Sequence, residues 1–308
     1  MEQLEQQLKL IDDKDQRVLM TVCLNMTLFF TGSHTAEKRQ AILTMFSDYQ
    51  TMMDGKLNFT TNPQTGAWKN LAKVNYPTPQ QWLLDLPDEP WEFIYHGGLH
   101  HRDASDVRFG ILGCAKWEDD KGDLSWVSIN FPLTFFADWH ESVQEVLLRW
   151  VNALQPVHGF AAIATTHNHF DDYRYEPFEF AFAEQYPGLD ISNAITQGIW
   201  LKADTIKGIN WLTILNQELL DKVGGVAALK AIDGITVWQQ GAVYVIQASE
   251  RPALQTIPDS YYQLGALFEP IRIKKHADIH RSNRHQQPVF GTVDGSYLQW
   301  LARFEQKP

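Results

Sequence analysis

The chain has 308 residues, of which 44% are hydrophobic, 12% aromatic and only 20% charged, a composition that supports a large core and excludes intrinsic disorder and coiled coil. No run approaches the roughly 18 consecutive apolar residues that a membrane helix needs, and the opening Met1-Glu2-Gln3-Leu4-Glu5-Gln6-Gln7 lacks the basic patch and apolar run of a signal peptide, so the sequence reads as soluble and cytoplasmic, with no membrane partner. The net charge is −11, and nineteen acids against six bases between Asp85 and Asp190 place the whole negative excess in the middle third; such a surface disfavours nucleic acid, whose phosphates call for Lys and Arg, and favours a basic protein.

After a short polar amphipathic start (Leu4, Leu8, Ile11), residues 18–30 read as a strand, with apolar residues at every second position from Val18 to Phe30. Thr35 is placed to cap a helix that carries Ile42, Met45, Phe46 and Tyr49, and Lys56 to Thr61 reads as a return strand. Residues 62–92 hold Pro63, Pro77, Pro79, Pro87 and Pro90 and read as an irregular connection. Alternation resumes at Val127, Ile129, Phe131, Leu133 and Phe135. Asp138 then offers a cap for a helix through Val143, Leu147, Trp150 and Leu154, and Phe160 to Thr166 reads as a strand. An offset of 106 pairs Phe29-Phe30 with Phe135-Phe136, His34 with His140 and Ile42 with Leu148, the signature of an internal duplication. Beyond an aromatic and acidic stretch, His167 to Tyr186, a short strand is read at 198–202 and a helix at 210–223. A hairpin follows around Gln240-Gly241, then a helix at 259–268, an extended piece at 270–273 and a closing segment from Tyr297 to Phe304. Adjacent strand pairs favour an α+β fold with mixed or antiparallel sheets and packed helices over a doubly wound parallel sheet. The chain reads as an N-terminal α+β half, residues 1–115, and a C-terminal α+β half, residues 116–308, with one continuous globular unit as the alternative.

Catalytic signals are sparse. His167-Asn168-His169-Phe170-Asp171-Asp172 follows a strand and looks like the HxHxDH zinc motif of metallo-β-lactamase-fold hydrolases, with Asp172 where the last histidine belongs. A metal-dependent hydrolase using His167, His169 and Asp171 is the alternative reading, weakened because the next histidine is His276. His96-Gly97-Gly98-Leu99-His100-His101-Arg102-Asp103 offers imidazoles, a carboxylate and flexible glycines without a nucleophile signature. Phosphate-cradling glycine motifs are absent. Cys23 and Cys114 read as reduced core thiols. No cofactor, bound metal or catalytic residue is expected.

The C-terminal half carries a recognisable pattern: Gly208-Ile209-Asn210-Trp211-Leu212-Thr213-Ile214-Leu215, Leu219, Val223-Gly224-Gly225, Gln247-Ala248, Pro270-Ile271-Arg272 and the closing Trp300-Leu301-Ala302-Arg303-Phe304, with Arg149-Trp150 and His158-Gly159 upstream. Together these resemble the TsiV family of type VI secretion immunity proteins, which protect bacteria from antibacterial toxins that carry a VRR-Nuc nuclease domain. The resemblance spans roughly residues 126–304, and more loosely the N-terminal strand and helix. Its motif residues read as fold residues, Trp211, Leu212, Leu215 and Leu219 making one helical face. The resemblance implies inhibition by binding: a non-enzymatic cytoplasmic immunity protein that holds its cognate effector toxin, a basic nuclease domain, one to one and blocks its DNA-binding or active site. The expected contact regions combine acids with aromatic anchors. They are Trp117, Glu118, Asp119, Asp120 and Asp123, and Asp171, Asp172, Tyr173, Tyr175 and Glu176. A third reading is a structural subunit of the secretion apparatus.

Overall fold

Between the apolar residues of the 18–30 segment lie Thr21, Asn25 and Thr27, and the pleat of an extended chain sends the two sets to opposite faces. In the computed structural model, which describes residues 2–62, 65–136, 141–167, 172–276 and 296–307, this segment is a thirteen-residue strand at the heart of a twelve-stranded sheet.

In chain order, helix α1 (Glu2–Gln7) precedes strands β1 (Leu10–Ile11) and β2 (Val18–Phe30), helix α2 (Ala36–Met52), and strands β3 (Phe59–Thr61), β4 (Trp68–Asn70), β5 (Trp91–His96) and β6 (Arg108–Gly113). Helix α3 (Lys116–Asp119), strand β7 (Ser125–Phe131), helix α4 (Glu141–Leu154), strand β8 (His158–His167), helix α5 (Asp172–Gln185), strand β9 (Asp190–Ile191) and helix α6 (Ala194–Trp200) follow. The chain ends with β10 (Leu212–Asn216), α7 (Gln217–Asp221), α8 (Gly225–Leu229), β11 (Thr236–Gln240), β12 (Val243–Gln247), α9 (Asp259–Phe268) and α10 (Ser296–Leu301).

The main path of the sheet runs β11-β12-β10-β8-β2-β7-β6-β5-β3-β4, every neighbour antiparallel; β1 adds antiparallel to β2 and β9 parallel to β8. The fold is therefore α+β with a predominantly antiparallel sheet. β2 lies between β8 and β7, so a strand from before residue 115 sits among strands from after it.

Register explains the packing. Leu24 stands between Phe131 and Ile163, and all three point to the face covered by α2 and α4. There Ile42, Met45, Phe46 and Tyr49 meet Val143, Leu147, Trp150 and Val151 over the sheet, and all are buried. Removing a side chain such as Phe46 from water is worth about 3 kcal/mol. On the opposite face β2 presents Asn25 and Thr27. Asn25 Nδ2 donates to Asn130 Oδ1 at 2.8 Å, Asn130 Nδ2 donates to Thr166 Oγ1 at 2.9 Å, and Ser192 Oγ donates to Asn25 Oδ1 at 2.9 Å. Satisfied in this way, a polar seam is tolerated inside the fold. Phe29, Trp126, Phe160, Phe180, Trp300 and Leu301 form an apolar layer on that same side.

Several sequence expectations hold. β2 has its predicted span, Thr35 caps α2 by accepting from Lys38 N at 3.3 Å, and α9 and the hairpin around Gly241 lie where the pattern put them. Others are corrected. Residues 210–223 form strand β10 followed by short helix α7, because Trp211, Leu212, Ile214 and Leu215 are all buried and the two-sided burial erases the strand period. Residues 198–202 end helix α6 instead of forming a strand; Asn193 caps that helix by accepting from Thr196 N. The proline-rich stretch contains β4, and 270–273 opens in a 3₁₀ turn. The duplication is not confirmed: both units run strand-helix-strand, but three strands separate β2 from β3 and one separates β7 from β8. His140 and Asp138 lie outside the described residues.

Candidate functional site

The acidic segment after β6 folds into one turn of helix, α3, because its own residues close it: Glu118 Oε2 accepts from Ala115 N at 2.9 Å, satisfying a backbone donor at the helix start. Asp88 Oδ1 accepts from Lys116 N at 2.7 Å and ties the 84–90 segment to the same corner. Arg39, buried under that segment, donates to the carbonyls of Leu86 and Pro87 and to Ser33 O. Burial lowers its pKa. Two distant pieces of acidic sequence are thereby brought together.

The corner carries Asp85, Asp88, Glu89, Glu118, Asp119, Asp120 and Asp123, seven carboxylates, against the ammonium groups of Lys116, Lys121 and Lys202. Lys116 pairs with Asp120 at 2.7 Å, and Lys202 reaches Asp123 at 2.5 Å. Trp117 is 52% exposed with Lys121 Nζ 4.3 Å above its ring, and Leu84 is 45% exposed. Asp119 differs from its neighbours: its Oδ2 accepts from Gly32 N at 2.6 Å and stands 3.3 Å from His34 Nδ1, and burial raises its pKa. It is a fold-holding carboxylate. The sequence analysis named Trp117, Glu118, Asp119, Asp120 and Asp123 in this segment; the fold brings Asp88, and with it the neighbouring Asp85 and Glu89, to the same corner.

The second predicted region divides. Asp171 lies outside the described residues, and Asp172 and Tyr173 open α5. Tyr175 and Glu176 are corrected: both are buried, Tyr175 with its ring stacked on His167 at 4.3 Å, because α5 turns this face onto β2 and β9 instead of to solvent. His167 Nδ1 lies 3.3 Å from Glu179 Oε1, which also takes a hydrogen bond from Thr165 Oγ1. His169 lies outside the described residues, and among those described no group of three or more His, Cys, Asp or Glu is arranged to hold a metal ion.

In the 96–103 loop the two carboxylate oxygens of Asp103 accept from Val18 N at 3.2 Å and His100 N at 2.8 Å. Gly97 and Gly98 permit close approach within the chain itself, since side chains there would run into Lys56 O and Asp103 Cβ. Cys23 and Cys114 are buried free thiols whose pKa values burial raises.

Residues 41–304 match the family described as type VI immunity for VRR-NUC, TsiV. The chain belongs to the TsiV family. Its place as a type VI immunity protein follows, and the matched span takes in both halves of the acidic corner. The Pseudomonas aeruginosa type VI secretion protein PA0821 has a similar structure, with a TM-score of 0.85 and 24% identity over 97% of this chain and 88% of that one. At that identity the likeness speaks for the fold. No curated protein matches the chain. Among the described residues of this TsiV-family protein no helix is long and apolar enough to cross a membrane.

Proposed function

We propose that this TsiV-family protein neutralises its toxin by covering the basic surface with which a VRR-Nuc nuclease grips DNA, in a one-to-one complex made in the cytoplasm. The contact is assigned to the acidic corner around α3, with Asp171 and the Asp172-Tyr173 start of α5 as a second contact region. A single observation carries the assignment: the 85–89 and 116–123 segments, tied together through Asp88, carry seven carboxylates and, with Lys202, only three ammonium groups around the exposed indole of Trp117. A nuclease must present positive charge to phosphates. An acidic rim then steers the encounter, while an aromatic side chain that becomes buried supplies affinity. The exposed ion pairs within the corner hold side chains in place and add little stability of their own.

The test is DNA cleavage by the purified nuclease domain. One equivalent of the immunity protein is expected to abolish cleavage, and Trp117→Ala, which alters a half-exposed side chain and should fold normally, is expected to need roughly tenfold or more excess, the loss of a central aromatic anchor. Full protection by Trp117→Ala at one equivalent would move the interface elsewhere.

A further inference from the structure

A sheet that does not close on itself ends in two strands whose outer backbone groups lack a neighbour, and such edges pair with other chains unless something protects them. The two ends of this sheet differ. At one end of the main path, β4 is three residues long and carries Lys69. At the other, β11 runs Thr236-Val237-Trp238-Gln239-Gln240 without a charge, a proline or a bulge, in unbroken register with β12.

Pairing fixes what this edge presents. Only Gly241 and Ala242 separate the paired Gln240 and Val243, so that pair exchanges both of its hydrogen bonds. Alternation then turns the N–H and C=O groups of Val237 and Gln239 away from β12. Among the described residues these four groups have no hydrogen-bond partner. The strand is also held in place: Gln155 Nε2 donates to Gln240 O at 3.1 Å, and Gln155 Oε1 accepts from Ala242 N at 3.2 Å. Trp238 is half-buried against the core under α4. On the other face, Val237 lines a groove of about 410 Å³ with Leu229, Ile232, Ile235 and Tyr244.

We propose that β11 pairs antiparallel with β11 of a second copy of this chain, continuing the sheet through a twofold axis at Trp238. In that register Val237 of each copy stands opposite Gln239 of the other, and the outward groups, four from each copy, close four hydrogen bonds. Trp238 faces Trp238 in the closer, non-hydrogen-bonded pair, where cross-strand aromatics add stability. The two hairpin turns lie at opposite ends of the pair, so the α4 ends that carry Gln155 do not meet. Charge favours a second copy over the toxin as occupant. The negative excess lies between Asp85 and Asp190, whereas residues 222–247 hold two lysines and one aspartate. Two copies therefore meet here without strong repulsion, and a neutral strand gives a basic toxin nothing to select. β12, β10, β8 and β2 separate β11 from β7, about 24 Å at the usual strand spacing, so the acidic corner stays free in both copies. Five paired residues a side fall short of the roughly 20 of a stable interface, so the dimer is weak, forming at on the order of 100 µM.

Sedimentation equilibrium of the full chain from about 1 µM to about 1 mM tests this. The mass is expected to rise from monomer toward dimer across that range. Gln239→Pro alters an exposed edge position whose N–H β12 does not use, a place where proline is tolerated. It is expected to stay monomeric throughout and to inhibit the nuclease domain as the parent does. The double variant Thr236→Cys, Gln240→Cys sets thiols opposite one another across the axis and is expected to oxidise to a covalent dimer, which neither single variant forms. That arm keeps the test decisive if Gln239→Pro fails to fold. A parent that is monomeric at about 1 mM, a folded Gln239→Pro that dimerises like the parent, or equal cross-linking of single and double cysteine variants would overturn the proposal. A monomeric parent whose Gln239→Pro variant loses nuclease inhibition would also overturn it, since the edge would then take a strand of the toxin.

Discussion

Trp211 stands just ahead of β10, 2% exposed, with its indole Nε1 donating to Ser249 O at 2.8 Å. Apolar bulk and a satisfied donor are both lost on truncation, so Trp211→Ala is expected to cost about 3–5 kcal/mol, read as a drop in the urea midpoint. A parent-like midpoint would show that the side chain packs less tightly than the structure has it. His158 makes a different kind of contribution. It is 1% exposed, with its ring tilted against Phe29 at 4.8 Å, and burial lowers its pKa to about 3, as for His96. Unfolded histidine titrates near 6.5, so below that pH the unfolded chain takes up protons that the native chain refuses. Stability therefore falls as the pH drops from about 6.5 toward 3, by up to about 1.4 kcal/mol per pH unit for each such histidine. His158→Gln is expected to flatten that slope in urea melts between pH 6 and pH 4.5. An unchanged slope would mean that His158 protonates inside the fold.

At the scale of elements, what was legible depended on whether burial was one-sided. β2 and the hairpin declared themselves through alternation and turn glycine, and α2 through a capping threonine and spaced apolar residues. β10 and α5 did not. Trp211 to Leu215 are buried on both faces, while α5 carries Pro177 and aromatic residues around its whole circumference, so neither shows a clean period. The same limit applied to the site. Trp117 and Asp120 could be read from composition, but the fold-holding role of Asp119 depends on Gly32, 87 residues away, and the link from Asp88 to Lys116 on a tertiary turn. The closing segment adds a constraint visible only in the packing: a side chain at Gly265 in α9 would overlap the Phe304 carbonyl. Gly265→Ala is expected to cost about 1–3 kcal/mol through overpacking and to increase amide hydrogen exchange across residues 297–304. Protection equal to the parent's there would place the strain elsewhere.

Across the whole molecule, the sheet joins strands from both ends of the chain and brings the 85–89 and 116–123 segments to one corner, whose charge is proposed to act at a distance on a basic partner. Fields of this kind act on encounter more than on the final contact, and salt screens them within about 8 Å at physiological strength. Asp119 must be spared in any charge test because it holds Gly32, whereas Asp85, Glu89 and Asp120 are exposed. The most direct measurement is the association rate of the nuclease domain with the triple variant Asp85→Lys, Glu89→Lys, Asp120→Lys, at low and at high salt. The account predicts a variant that folds normally, associates roughly tenfold or more slowly at low salt, and approaches the parent's rate as salt rises. Equal association rates for parent and variant at low salt would contradict it.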